Sequence, residues 1–166
     1  MSFRQTKENV AANVYNRAFS GTYLGGDGVA LCSTSHPNTT GGTWANKFSS
    51  PVDLSVESLE AMLTLWQTDQ KDQRGRKLTI RPTILLVGPS DKWIANRIMM
   101  SPQRPGGNDN DVNVVKNISD LQVVVSDFLS DDSRWFLLAP KEQTGLVYFD
   151  RAPTEMRRLN ATHVIN

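Results

Sequence analysis

The stretch from residue 24 to 37, LGGDGVALCSTSHP, sets the only cysteine of the chain, Cys32, ahead of His36, one of two histidines. A thiol nucleophile needs a base within hydrogen-bond reach and a third group to orient that base. An extended chain of this spacing separates Cys32 from His36 by more than ~12 Å. A helix would bring them together, but Pro37 and the flanking glycines oppose one here. The other histidine, His163, lies in a polar C-terminal tail. Cys32 therefore reads as a small apolar residue at the end of a short strand. A small α+β thiol hydrolase using Cys32 is the alternative.

Other chemistry finds less support. Asp109, Asp111 and Asn113 resemble the start of a calcium loop, but Val114 stands where that loop needs glycine and Asp120 where it needs glutamate. A solvated loop tip accounts for the same residues. One cysteine and two distant histidines do not make a zinc site. Gly21, Gly25, Gly26 and Gly28 lack the following Lys-Ser/Thr of a phosphate loop. Asp27, Asp91, Asp109 and Asp127 include no pair singled out by spacing for acid–base work. Arg74, Arg76 and Lys77 form a basic cluster that reads as a solvated turn. No cofactor is expected.

Composition sets the frame for these residues. The chain has 166 residues, 39% apolar and 21% charged, which suits one globular domain, residues 1–166. Eighteen Lys and Arg against 17 Asp and Glu give a net charge of +1, so charge alone names no polyanionic partner. No stretch approaches the ~20 apolar residues of a membrane helix, and the polar start MSFRQTKENV has no signal-peptide core.

The spacing predicts a helix over 3–20, with Val10, Ala11, Val14, Tyr15, Ala18 and Phe19 as an apolar stripe, a Ser2–Gln5 capping box and Gly21 as its stop. Residues 21–51 read as loop pinned by Val29, Leu31, Trp44 and Phe48. LSVESLEAMLTLW predicts a second helix, capped by Ser55, stapled by Leu54 on Leu59, and closed at Gly75. KLTIRPTILLVG reads as a strand in which Pro82 marks an edge or a break. A helix follows, with Ser90 as cap and Trp93, Ile94 and Ile98 facing inward. LQVVVSDFL, RWFLLAP and GLVYFDR read as three short strands. The sum is a mixed α+β domain with a small, largely antiparallel sheet.

The order of these pieces carries a resemblance that no single motif does. A spine-like helix is followed by a DG..L.S..HP segment, here Asp27, Gly28, Leu31, Ser33, His36 and Pro37. Next come an LS..SL helix start (Leu54, Ser55, Ser58, Leu59) and a P..LLV.P strand (Pro82, Leu85, Leu86, Val87, Pro89). A VVV...L.D...WFL block (Val123 to Val125, Leu129, Asp131, Trp135, Phe136, Leu137) closes the series. Over about residues 4–151 the chain resembles the major capsid proteins of tailed bacteriophages, nearest the phage Mu-type major head subunit branch of the Hong Kong 97-type fold.

The resemblance implies the end of a spine helix at 2–20, an axial-domain region at 21–150 with part of the peripheral domain, and a tail at 151–166. It also implies that the N-terminal arm and extended loop of relatives are missing here, so that the chain is a capsid subunit or its axial-domain fragment. It implies a structural protein without catalysis. Copies of the chain would form hexamers and pentamers of an icosahedral shell around double-stranded DNA. The shell would be built in the host bacterial cytoplasm, with scaffolding or other head proteins and non-specific DNA contact as further partners. A non-viral, cargo-storing shell protein of the same fold is a third reading. Segments 21–51 and 101–113 are the expected contacts between subunits, with Asp27, Trp44, Pro105, Asn108, Asp109, Asp111 and Asn113 as candidates. Deleting Pro105 to Asn113 is expected to leave the fold intact and weaken association.

Overall fold

A computed structural model describes residues 3–104, 112–118, 120–144 and 149. In chain order it contains α1 (Phe3–Asn16), β1 (His36–Pro37), β2 (Thr43–Trp44), α2 (Val56–Asp69) and β3 (Ile84–Val87). There follow α3 (Lys92–Met100), α4 (Val114–Ile118), β4 (Gln122–Val125) and β5 (Trp135–Leu138). The main sheet has the order β4-β3-β5, and β1 pairs with β2 in a separate antiparallel ribbon.

The main sheet is mixed, not largely antiparallel: β3 runs parallel to β4 and antiparallel to β5. A parallel pair needs a crossover, which α3 and α4 supply, α3 packing on both strands. The apolar run Ile84–Val87 is continuous because both faces of β3 are covered. Leu85 and Val87 join Leu54, Val56, Leu59, Ala95, Ile98 and Leu137 in one buried cluster. Leu86, between them, turns to the other face, where Ala18, Leu129 and Phe136 form the second cluster.

Pro82 marks the break and not an edge: the strand starts after it, at the centre of the sheet. Leu78 and Ile80, expected in that strand, serve α2 instead. The Leu78 amide donates to the Gln70 carbonyl, and the Ile80 carbonyl accepts from the Trp66 indole at 2.8 Å.

The start of α2 follows its sequence closely. Ser55 caps it, and Ser58 completes a capping box by accepting from the Ser55 amide at 2.8 Å. Leu54 and Leu59 are both buried in the same cluster, as a staple requires. The helix ends at Asp69, before Gly75, which instead serves a later turn at φ +78°.

Two helices differ from expectation. α1 stops at Asn16, because the Asn16 side chain leaves the helix to donate to the Phe128 carbonyl and accept from the Ser130 amide. Its expected stripe is a core face only near the C-terminus: Ala12 and Ala18 are buried, whereas Ala11 is exposed and Val10 is 56% exposed. Ser2 lies outside the described residues. In α3, Ile98 faces inward, but Trp93 and Ile94 are exposed and Ala95 takes the inner position. Ser90 is not the cap. Its hydroxyl donates to Asp132 at 3.0 Å, and Asp91 occupies the cap position without a side-chain cap bond. The strand expected at GLVYFDR lies outside the described residues except Phe149, which is exposed.

Candidate functional site

The segment 21–51, though poor in regular structure, is held by side chains. Gly28 takes φ +79° beside Asp27, whose Oδ1 accepts from the Val29 amide. Asp27 Oδ2 lies 2.6 Å from His36 Nδ1, and the His36 ring stacks on Trp44 at 4.4 Å between centroids. The hydrogen bond to His36 is the main reason the Asp27 carboxyl is held below its ordinary range. Two residues expected at a subunit contact, Asp27 and Trp44, thus meet inside one subunit around a buried histidine. Pro37 is the last residue of β1, where it pairs with Thr43 before the chain turns. Asn46 clamps the preceding strand-like stretch, donating to the Leu31 carbonyl and accepting from the Ser33 amide, each at 2.7 Å.

This arrangement answers the question raised by Cys32. The Nδ1 of His36 is occupied by Asp27, and its buried Nε2 has no hydrogen-bond partner among the described residues. Cys32 instead packs on the second core cluster, with Tyr15 and Leu138. Burial pushes its thiol up to about 11, only partly opposed by the Lys47 charge. The thiolate fraction near pH 8 then falls roughly 10²-fold below that of a free thiol. Folded protein is accordingly expected to react with iodoacetamide at least about 100-fold more slowly than unfolded protein at pH 8. Rapid, stoichiometric alkylation of the folded chain would reopen the thiol-enzyme reading.

Cys32 also lines the floor of a groove of about 820 Å³. Tyr15, Phe19, Trp66, Trp135 and Phe136 form much of its wall, and Asp53 and Asp131 reach it as well. Phe19 stacks on Phe136 at 5.7 Å, while Arg134 and Lys47 lie over its ring. Arg134 joins two segments: it pairs with Asp131 in its own at 3.1 Å, and at the end of α1 it donates to the Asn16 carbonyl and covers Phe19. Sequence reading missed this groove. Its walls come from segments around residues 15, 32, 50, 66 and 135, and no local pattern announces their meeting. The spread of tryptophans was the one available signal.

Of the remaining expected contact residues, Pro105, Asn108, Asp109 and Asp111 lie outside the described residues. Asn113 is 1% exposed, and its amide donates to the Ile98 and Ser101 carbonyls, tying the end of α3 to α4. It acts inside the subunit. A deletion that included it would remove this tie, so a loop deletion that spares the fold must stop at Asp111. Val114 opens α4 and not a calcium turn. Among the described residues, no group of three His, Cys, Asp or Glu side chains is arranged to hold a metal ion. No helix among them is long and apolar enough to cross a membrane.

Residues 1–162 match the sequence model of a family described as phage capsid protein. No curated protein and no solved structure matches the chain.

Proposed function

From the premise that this chain belongs to the phage capsid protein family, and is therefore a viral structural protein and not an enzyme, we propose a finer reading. It is a major head subunit of the Hong Kong 97-type fold, in the phage Mu-type branch, whose copies form hexamers and pentamers enclosing double-stranded DNA. Residues 2–20 belong to the spine helix, 21–150 to the axial-domain region with part of the peripheral domain, and 151–166 to a tail. Assembly takes place in the host cytoplasm, with scaffolding or other head proteins as further partners.

The observation that carries this reading is the family match over nearly the whole chain. The surface supports it. Val10, Trp93 and Met100 are each more than half exposed, and they leave apolar area that a shell neighbour would cover. The contact residues in this reading are Trp44, Asp27, Pro105, Asn108, Asp109 and Asp111.

Sedimentation velocity over a wide concentration range, with negative-stain microscopy of fast species, tests it. Rings or closed shells are expected. A strict monomer at every concentration would sink the shell-forming role.

A further inference from the structure

We propose that the two ends of the subunit are complementary poles, and that the basic turn 71–81 of one copy docks on the acidic end of the next, at Asp53, Asp131 and Asp132. This rests on the capsid reading and deepens it by naming a contact.

The poles are separated by α2, whose 14 residues span about 21 Å. Beyond its C-terminus the chain makes a fastened turn. Lys71 and Lys77 bridge antiparallel, and the Asp72 carboxylate accepts from the amides of Arg74 and Arg76 and from Arg76 Nε. Gly75 closes the turn at φ +78°. Thr39 anchors it to the body, its amide and hydroxyl both donating to the Gln73 carbonyl at 2.9 Å. The turn spends Arg76 on Asp72 and Lys71 on Asp69. Arg74, Lys77 and Arg81 are exposed and have no carboxylate partner among the described residues.

At the N-terminal end of α2 the balance is reversed. Asp53 precedes the cap, Asp91 starts α3, and Asp131 and Asp132 lie in the β4–β5 connection. The sheet brings these segments together, because Val87 at the end of β3 is opposite both Val125 and Trp135. Asp91 is 8% exposed, and its Oδ2 has no hydrogen-bond partner among the described residues. Burial, and then the charges of Asp53, Asp131 and Asp132, hold its carboxyl above the ordinary range. Arg134 pairs with Asp131, whereas Lys92 lies over the Trp93 ring. Ser133 and Arg134 hold the Asp131 carboxyl below its ordinary range, Ser90 donates to Asp132, and Arg104 pairs with Glu57 in the first turn of α2. The four aspartates are thus partly compensated inside the subunit and still leave this end acidic.

The whole chain carries a net charge of +1, so the poles come from placement and not from composition. Opposite patches on opposite ends make a head-to-tail contact, the type that closes into rings. Duplex DNA could also bind the basic turn, but it would do nothing for the acidic end, whereas a second copy satisfies both. Asp53 and Asp131 also line the apolar groove, so the partner's turn would land on its rim.

The experiment uses R74E/K77E/R81E, D53K/D132K and their equimolar mixture, beside the wild type, in sedimentation velocity. Each variant alone should associate at least about 100-fold more weakly, since every contact then meets like charge. The mixture should recover association, because each reversed pole finds an unlike one, and wild-type association should weaken with salt. Variants that assemble as well as an assembling wild type overturn this contact and leave the capsid reading standing. A wild type that stays monomeric overturns both. An arginine-turn variant that assembles normally but loses retention of duplex DNA assigns the turn to DNA and overturns the contact. Should a reversed variant not melt cooperatively, R74Q/K77Q/R81Q replaces it, with about tenfold weakening expected and unchanged association overturning the contact.

Discussion

Replacing Gly88 by alanine should cost at least about 3 kcal/mol of folding stability. A Cβ built on Gly88 would sit 2.1 Å from the Asp132 carbonyl oxygen, 2.4 Å from its carbonyl carbon and 2.5 Å from its Cα. All three are backbone atoms, so no flexible side chain can swing away. The Gly88 amide also donates to the Arg134 carbonyl at 3.2 Å, which holds the two segments at this approach. Gly88 is not in the left-handed region, so the demand is for space and not for conformation. Relief would have to come from displacing the 131–134 connection, and with it the Arg134 contacts to Asp131, Asn16 and Phe19. Urea denaturation at a concentration where the chain is monomeric measures the effect. An alanine variant within about 0.5 kcal/mol of wild type would show that the connection moves freely.

A comparable loss is expected at the centre of the sheet. Leu85 is fully buried on the central strand, between the partners Val123 and Leu137 and against the cluster that includes Leu59 and Ile98. Leu85→Ala should destabilise by about 3–4 kcal/mol, from lost burial plus the cavity left by neighbours that cannot all close in. Val124→Ala provides the control. Val124 is 37% exposed on β4, paired with Leu86 in the same sheet, and its truncation should cost less than about 1 kcal/mol. Equal losses at the two positions would contradict the burial pattern described above.

What was legible before folding was local. The Ser55 cap, the Leu54–Leu59 staple, the break at Pro82 and the inward Ile98 all depend on residues a few positions apart. The DG..L.S..HP segment was also legible as a pattern. Its cause was not: Asp27 and His36 meet across nine residues, and Trp44 covers them from the opposite strand of a short ribbon. α3 shows the limit well. Trp93 was an expected inward residue, yet it is exposed and Ala95, with Ile98, is buried on the face of α3 that packs on β3 and β4. Asn113 read as a solvated loop residue because its polar type and neighbours say so. It is buried because the end of α3 needs its carbonyls satisfied.

Residue order and short spacings were enough for the class of the protein: a mixed α+β chain whose ordered motifs place it among phage capsid proteins. The chain carries both before it folds. The mixed sheet, the half-buried place of Cys32 in the lining of an apolar groove and the division of charge between two ends came only with the folded chain. These depend on which distant segments meet, and burial and charge density are properties of that meeting and not of any one stretch.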